Sequence, residues 1–135
     1  MTGAESIAYL AARVLSTGIW VAAGWYKWAH YEKTIGEMSE HGVPWPRLVL
    51  PLVLALEFVG AAMLVFDFHV WAAALAWIAF TIPASIIYHF RFMVREGTID
   101  FVQFLLGWKN VSIMGGLIAL ILLDKSRPAW LLGAG

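Results

Sequence analysis

The chain has 135 residues, a length that fits a single domain, and its nine basic and nine acidic side chains give a formal net charge of zero. Hydrophobic residues make up 61% of it, charged residues only 13%, and the mean hydropathy is +0.77. This composition excludes an ordinary water-soluble domain, the balanced charge argues against nucleic acid as a partner, and the absence of cysteine excludes disulfides and thiol chemistry.

Four apolar stretches are each long enough to cross a bilayer, since about 20 apolar residues in a helix span a hydrocarbon core of about 30 Å. They are predicted at residues 7–29, 48–66, 70–90 and 104–123. The predicted fold is therefore all-α, an integral membrane four-helix antiparallel bundle that forms one transmembrane domain over residues 1–135.

The connections between the spans differ in length and charge. The first, at residues 30–47, has alternating charges and predicts a short amphipathic helix followed by a turn at residues 42–46. The second, at residues 67–69, is short enough to force an antiparallel hairpin, whereas the third, at residues 91–103, is again longer and charged.

Four spans place both termini and the short hairpin on one side of the membrane, here named the terminal face. The two longer connections lie on the other side, here named the loop face. Lysine and arginine are more numerous near the span ends of the loop face. The positive-inside rule therefore predicts cytoplasmic loops, with the termini on the opposite side.

Most of the eight tryptophans fall near predicted span ends. This placement favours an interfacial aromatic belt, in which amphipathic rings lie at headgroup level. The alternative is a ring-stacking site for a flat cofactor or a quinone. The residues concerned are Trp20, Trp25, Trp28, Trp45, Trp71, Trp108 and Trp130.

Glu57 is the sharpest feature, because it lies almost at the midpoint of the second predicted span, about 14 Å from the loop face. A charge at that depth costs a few kcal/mol, so the side chain is expected to face the bundle interior, paired, protonated or in a wet cavity. It could accept a proton or anchor a ligand, or it could fix helix packing through a hydrogen bond.

The possible partners of Glu57 are Arg13, Lys27, His89, Lys109 and Asn110. Lys109 is the preferred counter-ion, because its long stem begins roughly 8 Å deep in the fourth span. The alternative is that Lys109 reaches back to the headgroups. Arg13, near the other end of the bundle, is expected to meet headgroups or Asp124. No paired histidines with metal-ligand spacing occur, so no metal site is predicted.

Short motifs in a fixed order then suggest a family. They are an Arg near the start of the first span, GWYK at its end, HGVPWP before the second span, EFVGAAML within it, and FLLGWKNVSIMGGLIALILLD in the fourth. In this order the chain resembles the DoxX family of small bacterial membrane proteins. The matching positions are Arg13, Gly24, Lys27, Gly42, Pro44, Glu57, Gly60, Lys109, Asn110 and Asp124.

The resemblance implies a four-helix membrane fold and an association with redox complexes. One member of the family is the small subunit of a thiosulfate:quinone oxidoreductase, and others are linked to oxidative-stress systems. The resemblance thus favours a quinone or a partner enzyme over transport of a polar solute, and it implies a location in the bacterial inner membrane.

These observations predict a membrane subunit of a redox system that binds a quinone or anchors a redox partner enzyme. The chain is not expected to be catalytic alone or to hold a covalent cofactor; lipids and a redox protein or a second copy are the expected partners. A non-catalytic scaffold, or a carrier of a small solute or lipid, is the alternative. The predicted ligand-binding residues are Lys27, Trp28, Glu57, Tyr88, His89, Trp108, Lys109 and Asn110.

Overall fold

The fold is seen in a computed structural model that describes residues 1–133. Within this range the chain forms five α-helices, and the four that are long and apolar enough to cross a membrane confirm the predicted all-α bundle. The short helix between the first two spans is the predicted amphipathic one. The helices are α1 (Gly3–Ala29), α2 (Tyr31–Glu40), α3 (Pro46–Val65), α4 (Val70–Tyr88) and α5 (Phe101–Leu123).

Three of the spans begin earlier than predicted, and in two of them, α1 and α5, polar caps extend the helix beyond its apolar stretch. In α1, the Thr2 hydroxyl accepts a hydrogen bond from the Glu5 amide, and the Glu5 carboxylate accepts one from the Thr2 amide. In α5, the Asp100 carboxylate accepts from the amides of Val102 and Gln103. Each cap satisfies amides that have no partner inside the helix.

The third connection contains structure that was not predicted. A 3-10 turn at Phe90–Phe92 is followed by a two-stranded antiparallel hairpin, Val94–Arg95 with Thr98–Ile99, here named the loop-face hairpin. The two residues of its turn, Glu96 and Gly97, both have positive φ, at 51° and 77°. This conformation is typical of tight two-residue hairpins, whose twist it matches.

The centre of the bundle is built on two stacked tryptophans. The rings of Trp20 and Trp77 lie 4.4 Å apart with an interplanar angle of 14°, and the Trp77 indole N–H donates to the Leu56 carbonyl at 3.0 Å. Gly60 on α3 makes room for this pair, since a Cβ there would lie 2.6 Å from Trp77 Nε1. The assignment of Trp20 to an interfacial belt was therefore wrong: the ring is 7% exposed and belongs to the core.

Arg13 is bound by α3 and the α3–α4 connection, not by headgroups or Asp124 as predicted. Its guanidinium lies 3.2 Å from the Asp67 carboxylate and donates to the Leu64 carbonyl at 3.0 Å. The Tyr9 ring, one turn earlier on α1, lies 4.7 Å from the guanidinium carbon. Arg13 is buried because these groups replace the water that a cation would otherwise need.

Asp124 instead caps α4 from the end of α5. Its carboxylate accepts hydrogen bonds from the amides of Trp71 and Ser126, each at 2.8 Å, and the residue is buried. Trp71 is in the first turn of α4, where backbone amides have no partner within the helix. The cap thus joins the start of α4 to the end of α5.

Replacing Asp124 with alanine is expected to destabilise the protein by about 0.5–2 kcal/mol, the usual cost of removing a helix cap. Thermal unfolding in detergent micelles would measure the loss. Asp124→Asn is the matched control, since its amide oxygen still accepts from Trp71 and it should retain most of the stability. Equal losses in the two variants would show that charge, and not the cap, matters at this position.

Candidate functional site

The polar site in the bundle is an ion pair between Lys27, in the last turn of α1, and Glu57, in the middle of α3. Lys27 Nζ donates to Glu57 Oε1 at 2.6 Å. Gly24, one turn before Lys27, allows the two helices to approach, because a Cβ there would lie 3.0 Å from Phe58 Cζ and 3.2 Å from Glu57 Oε2. The glycine therefore places the backbone of α1 against the carboxylate.

The two partners differ in exposure. The Glu57 side chain is 1% exposed and that of Lys27 is 25% exposed. The apolar stem of Lys27 can lie along apolar surface while its ammonium group contacts the carboxylate. Lys27 can therefore reach the buried Glu57 from the loop end of α1. A carboxylate at this depth is tolerated because the ammonium offsets its charge.

The prediction that Lys109 is the counter-ion of Glu57 was wrong, because Lys27 occupies that position. Lys109 is exposed on the outer side of α5. It follows buried Gly107 by two residues, which places it about 200° further round the helix. Gly107 packs closely on Phe90, as a Cβ at Gly107 would lie 2.7 Å from that ring. This contact fixes the rotation of α5 and directs Lys109 outward.

One oxygen of the Glu57 carboxylate is left unused. Oε2 is buried and has no hydrogen-bond partner among residues 1–133. A carboxylate oxygen can accept up to two hydrogen bonds, so the site keeps the capacity to take a proton or one further donor. Lys27 pairs with the same carboxylate and is partly exposed, so its side chain connects Glu57 to the loop face.

The other polar residues predicted for the site join α4 to its neighbours. Asn110 Nδ2 donates to the Ser85 hydroxyl at 3.0 Å, which connects α5 to α4. His89 Nδ1 lies 2.8 Å from Gln103 Oε1, close enough for its N–H to donate. These contacts hold α4 and α5 together at the loop end, apart from the pair of α1 and α3.

The aromatic residues predicted to flank a ligand do not line a common space. Tyr88 stacks on His41, with ring centroids 4.4 Å apart, and so packs against the end of α2. Trp28 and Trp108 are 64% and 52% exposed. The predicted set therefore divides into the Lys27–Glu57 pair, the contacts of α4, and outward-facing side chains.

The sequence contains a signal for the inward face of α1, because Arg13 and Lys27 are fourteen residues apart and so lie close to the same helical face. The buried residues of this helix recur every three or four positions, the spacing of one helical face. Arg13 belongs to that series and Lys27 continues its spacing, three positions after Gly24, so both contact the α3 region at different depths. The buried residues of α1 are Tyr9, Arg13, Thr17, Trp20 and Gly24.

The surface of residues 1–133 includes two open grooves that Glu57 does not line. One, of about 610 Å³, runs between α2 and the start of α3 at the loop face. The other, of about 330 Å³, lies between α3 and α4 and is lined entirely by apolar side chains and Gly60. The lining of the first groove is Ile35, Gly36, Ser39, Trp45, Pro46, Arg47 and Leu48.

The DoxX family model matches residues 8–90, which include both ion pairs between α1 and the α3 region. The chain belongs to the DoxX family. It is 35% identical over 116 residues to the inner membrane protein YqjF of Escherichia coli K12, covering 86% of this chain and 83% of YqjF. It is 26% identical over 119 residues to the inner membrane protein YphA of the same organism, covering 87% of this chain and 83% of YphA.

No solved structure matches the chain. The part of the chain that the family model matches contains Arg13, Gly24, Lys27, Glu57 and Gly60. Helix α5 lies beyond this part. The family assignment thus covers the Lys27–Glu57 pair and the close approach of α1 to α3. It does not extend to Lys109 or Asn110.

Proposed function

We propose that this DoxX-family chain is a membrane-embedded subunit that anchors a redox partner enzyme at the bacterial inner membrane. The redox association comes from the family, and both relatives named above are inner membrane proteins. The observation that carries the anchoring role is the closure of the core around Glu57, whose side chain is 1% exposed and already paired with Lys27.

A ligand site would need a cleft that reaches the carboxylate, whereas the Glu57 side chain is almost fully buried and its ammonium partner covers it from the loop face. The Lys27–Glu57 pair therefore supports a structural role, holding α1 against α3 while the outer surfaces meet other proteins. This reasoning favours recruitment over catalysis by the chain itself.

The outer face of α5 supports this proposal. A Cβ added to Gly115 or Gly116 would meet nothing within 4 Å, so packing within residues 1–133 does not require these glycines. With Ser112 they form a surface of small residues that would let a transmembrane helix of another protein approach closely. Lys109 is exposed on the same side and would favour a partner helix that carries a carboxylate at its depth.

The test is co-purification of a partner from native membranes in mild detergent. It compares the wild type with two variants, each of which replaces one exposed glycine by leucine. Gly116→Leu would block close approach to α5, whereas Gly18→Leu adds the same bulk on α1, where space is also open. We expect an oxidoreductase, identified by mass spectrometry and its cofactor absorbance, to be recovered with wild type and Gly18→Leu. Its recovery should fall at least about tenfold with Gly116→Leu, since lost helix packing of ~1.4 kcal/mol is a tenfold change.

Lys109→Met should weaken recovery in the same direction, without changing the unfolding temperature of the isolated chain. Recovery that is equal in all variants would reject α5 as the anchoring face. If no oxidoreductase is recovered with the wild type under crosslinking conditions, the anchoring function itself fails.

A bound quinone is the second candidate function, and the unused Oε2 of Glu57 is the observation that favours it. In that arrangement Lys27 would donate to a quinone carbonyl, and Glu57 would accept or supply a proton on reduction. Native mass spectrometry with lipid extraction tests this. Quinone retained by wild type and Lys109→Met but lost from Glu57→Gln would support the site, and its absence from gently purified wild type would reject it.

A further inference from the structure

The loop-face hairpin is amphipathic. Its register pairs Val94 with Ile99 and Arg95 with Thr98. Because cross-strand partners share a face and successive residues alternate, Val94 and Ile99 lie on one face and Arg95 and Thr98 on the other. The tight turn at Glu96–Gly97 holds this register in place.

The apolar face of the hairpin is uncovered. Val94 is 59% exposed and Ile99 is 64% exposed. In the adjoining first turn of α5, Phe101 and Val102 are 66% and 61% exposed, so apolar surface continues along the chain from the hairpin into a membrane span. An isolated two-stranded hairpin is only marginally stable in water, and exposed apolar surface of this kind usually marks an interaction site.

The segment carries two arginines, Arg91 and Arg95, and two carboxylates, Glu96 in the hairpin turn and Asp100, which caps α5. Arg91 and Arg95 are exposed, and across residues 1–133 neither takes part in an ion pair. The hairpin directly follows α4 and directly precedes α5, so it lies where both spans leave the membrane on the loop face. Guanidinium groups at that level are within reach of lipid phosphates, which they bind through paired N–H donors.

We propose that the loop-face hairpin lies in the headgroup layer of the bilayer, with Val94 and Ile99 in the acyl boundary and Arg91 and Arg95 bound to anionic phospholipid. The continuity of its apolar face with α5 and the two unpaired cations favour a lipid surface over a protein partner. The DoxX family model ends at residue 90, before the hairpin. The hairpin is separate from the α5 surface of Ser112, Gly115 and Gly116, so the proposed lipid site does not rest on the anchoring function.

The depth of the hairpin can be measured directly, because the sequence contains no cysteine and a single one can be labelled selectively. Val94→Cys, Ile99→Cys, Arg95→Cys and Thr98→Cys would each carry an environment-sensitive fluorophore, in the full chain reconstituted into phosphatidylcholine vesicles containing phosphatidylglycerol. We expect brominated lipid to quench the labels at 94 and 99, and aqueous iodide to quench those at 95 and 98, with a contrast of about threefold between faces for an interfacial element.

Labels at 94 and 99 that iodide quenches as strongly as those at 95 and 98 would overturn the proposal. The same holds if these labels are shielded from both reagents in native membranes but reached by iodide in the purified vesicles, because a protein would then cover the face.

The arginines are tested by native mass spectrometry of the protein released from the same vesicles. Since each arginine near an anionic surface contributes about 1 kcal/mol, Arg91→Gln and Arg95→Gln should each lower retained phosphatidylglycerol about fivefold. Arg47→Gln is the control, because Arg47 is an exposed arginine on the loop face that is already paired with Glu32, and it should leave retention unchanged. Equal retention in wild type and the double arginine variant would overturn the headgroup contact.

Discussion

Replacing Lys27 with methionine is expected to lower the free energy of unfolding by about 3–5 kcal/mol, the usual cost of leaving one partner of a buried ion pair alone. Glu57 would then be a carboxylate in the core without its only hydrogen-bond donor among the described residues. Unfolding of the purified protein in mixed micelles, followed by tryptophan fluorescence, measures the change.

Two further variants make this a double-mutant cycle. Glu57→Gln should cost less, on the order of 1–2 kcal/mol, because its amide oxygen still accepts a hydrogen bond from Lys27 and the lysine can turn toward the loop face. The double variant should be more stable than the sum of the two losses predicts, since no isolated charge remains in the core. Lys109→Met is the control and should change little. A loss in Lys109→Met as large as that in Lys27→Met would contradict the assigned pairing.

Gly60→Ala is expected to destabilise the bundle by about 1–3 kcal/mol through overpacking. The added methyl group would lie 2.6 Å from Trp77 Nε1, and the indole cannot easily yield, because it is fully buried, stacked on Trp20 and hydrogen-bonded to the Leu56 carbonyl. Displacement of the stack should also change the tryptophan emission of the folded protein.

The matched control is Gly115→Ala on α5, where a Cβ meets nothing within 4 Å. That variant should have the same free energy of unfolding as wild type or one that is higher by about 0.5–1 kcal/mol, because alanine is the better helix former. Opposite signs for the two substitutions would show that packing against Trp77, and not helix propensity, decides the outcome at Gly60. A neutral result for Gly60→Ala would mean that α3 and α4 can separate without cost.

The four spans were predictable because each requires only a long apolar stretch. Their ends were less so, since the starts of α1 and α5 depend on the caps of Thr2 and Asp100 rather than on hydropathy. The turn of the loop-face hairpin did leave a signal, a Glu-Gly pair between short β-branched segments, but the segments are only two residues long.

The buried polar residues were recognised, whereas their pairing was not. The depth of Lys109 along its helix predicted that it would be the counter-ion of Glu57. Which cation reaches Glu57 also depends on how each helix is rotated about its axis. For α5 that rotation is set by the packing of Gly107 against Phe90, a contact between distant parts of the chain. Trp20 was grouped with the tryptophans at span ends although it lies nine residues inside the first predicted span, and its stacking on Trp77 places it in the core.

The two ion pairs have a consequence for how the chain enters the membrane. Arg13 and Lys27 both lie on α1, but their partners, Asp67 and Glu57, are made later, at the end and the middle of the α3 segment. During synthesis α1 therefore reaches the translocation machinery with two unneutralised cations, and Arg13 lies close to the middle of the helix, where a cation costs about 2.5–3.5 kcal/mol. Stable insertion of α1 is then expected only once α3 has emerged, so the first and second spans enter the lipid as a pair.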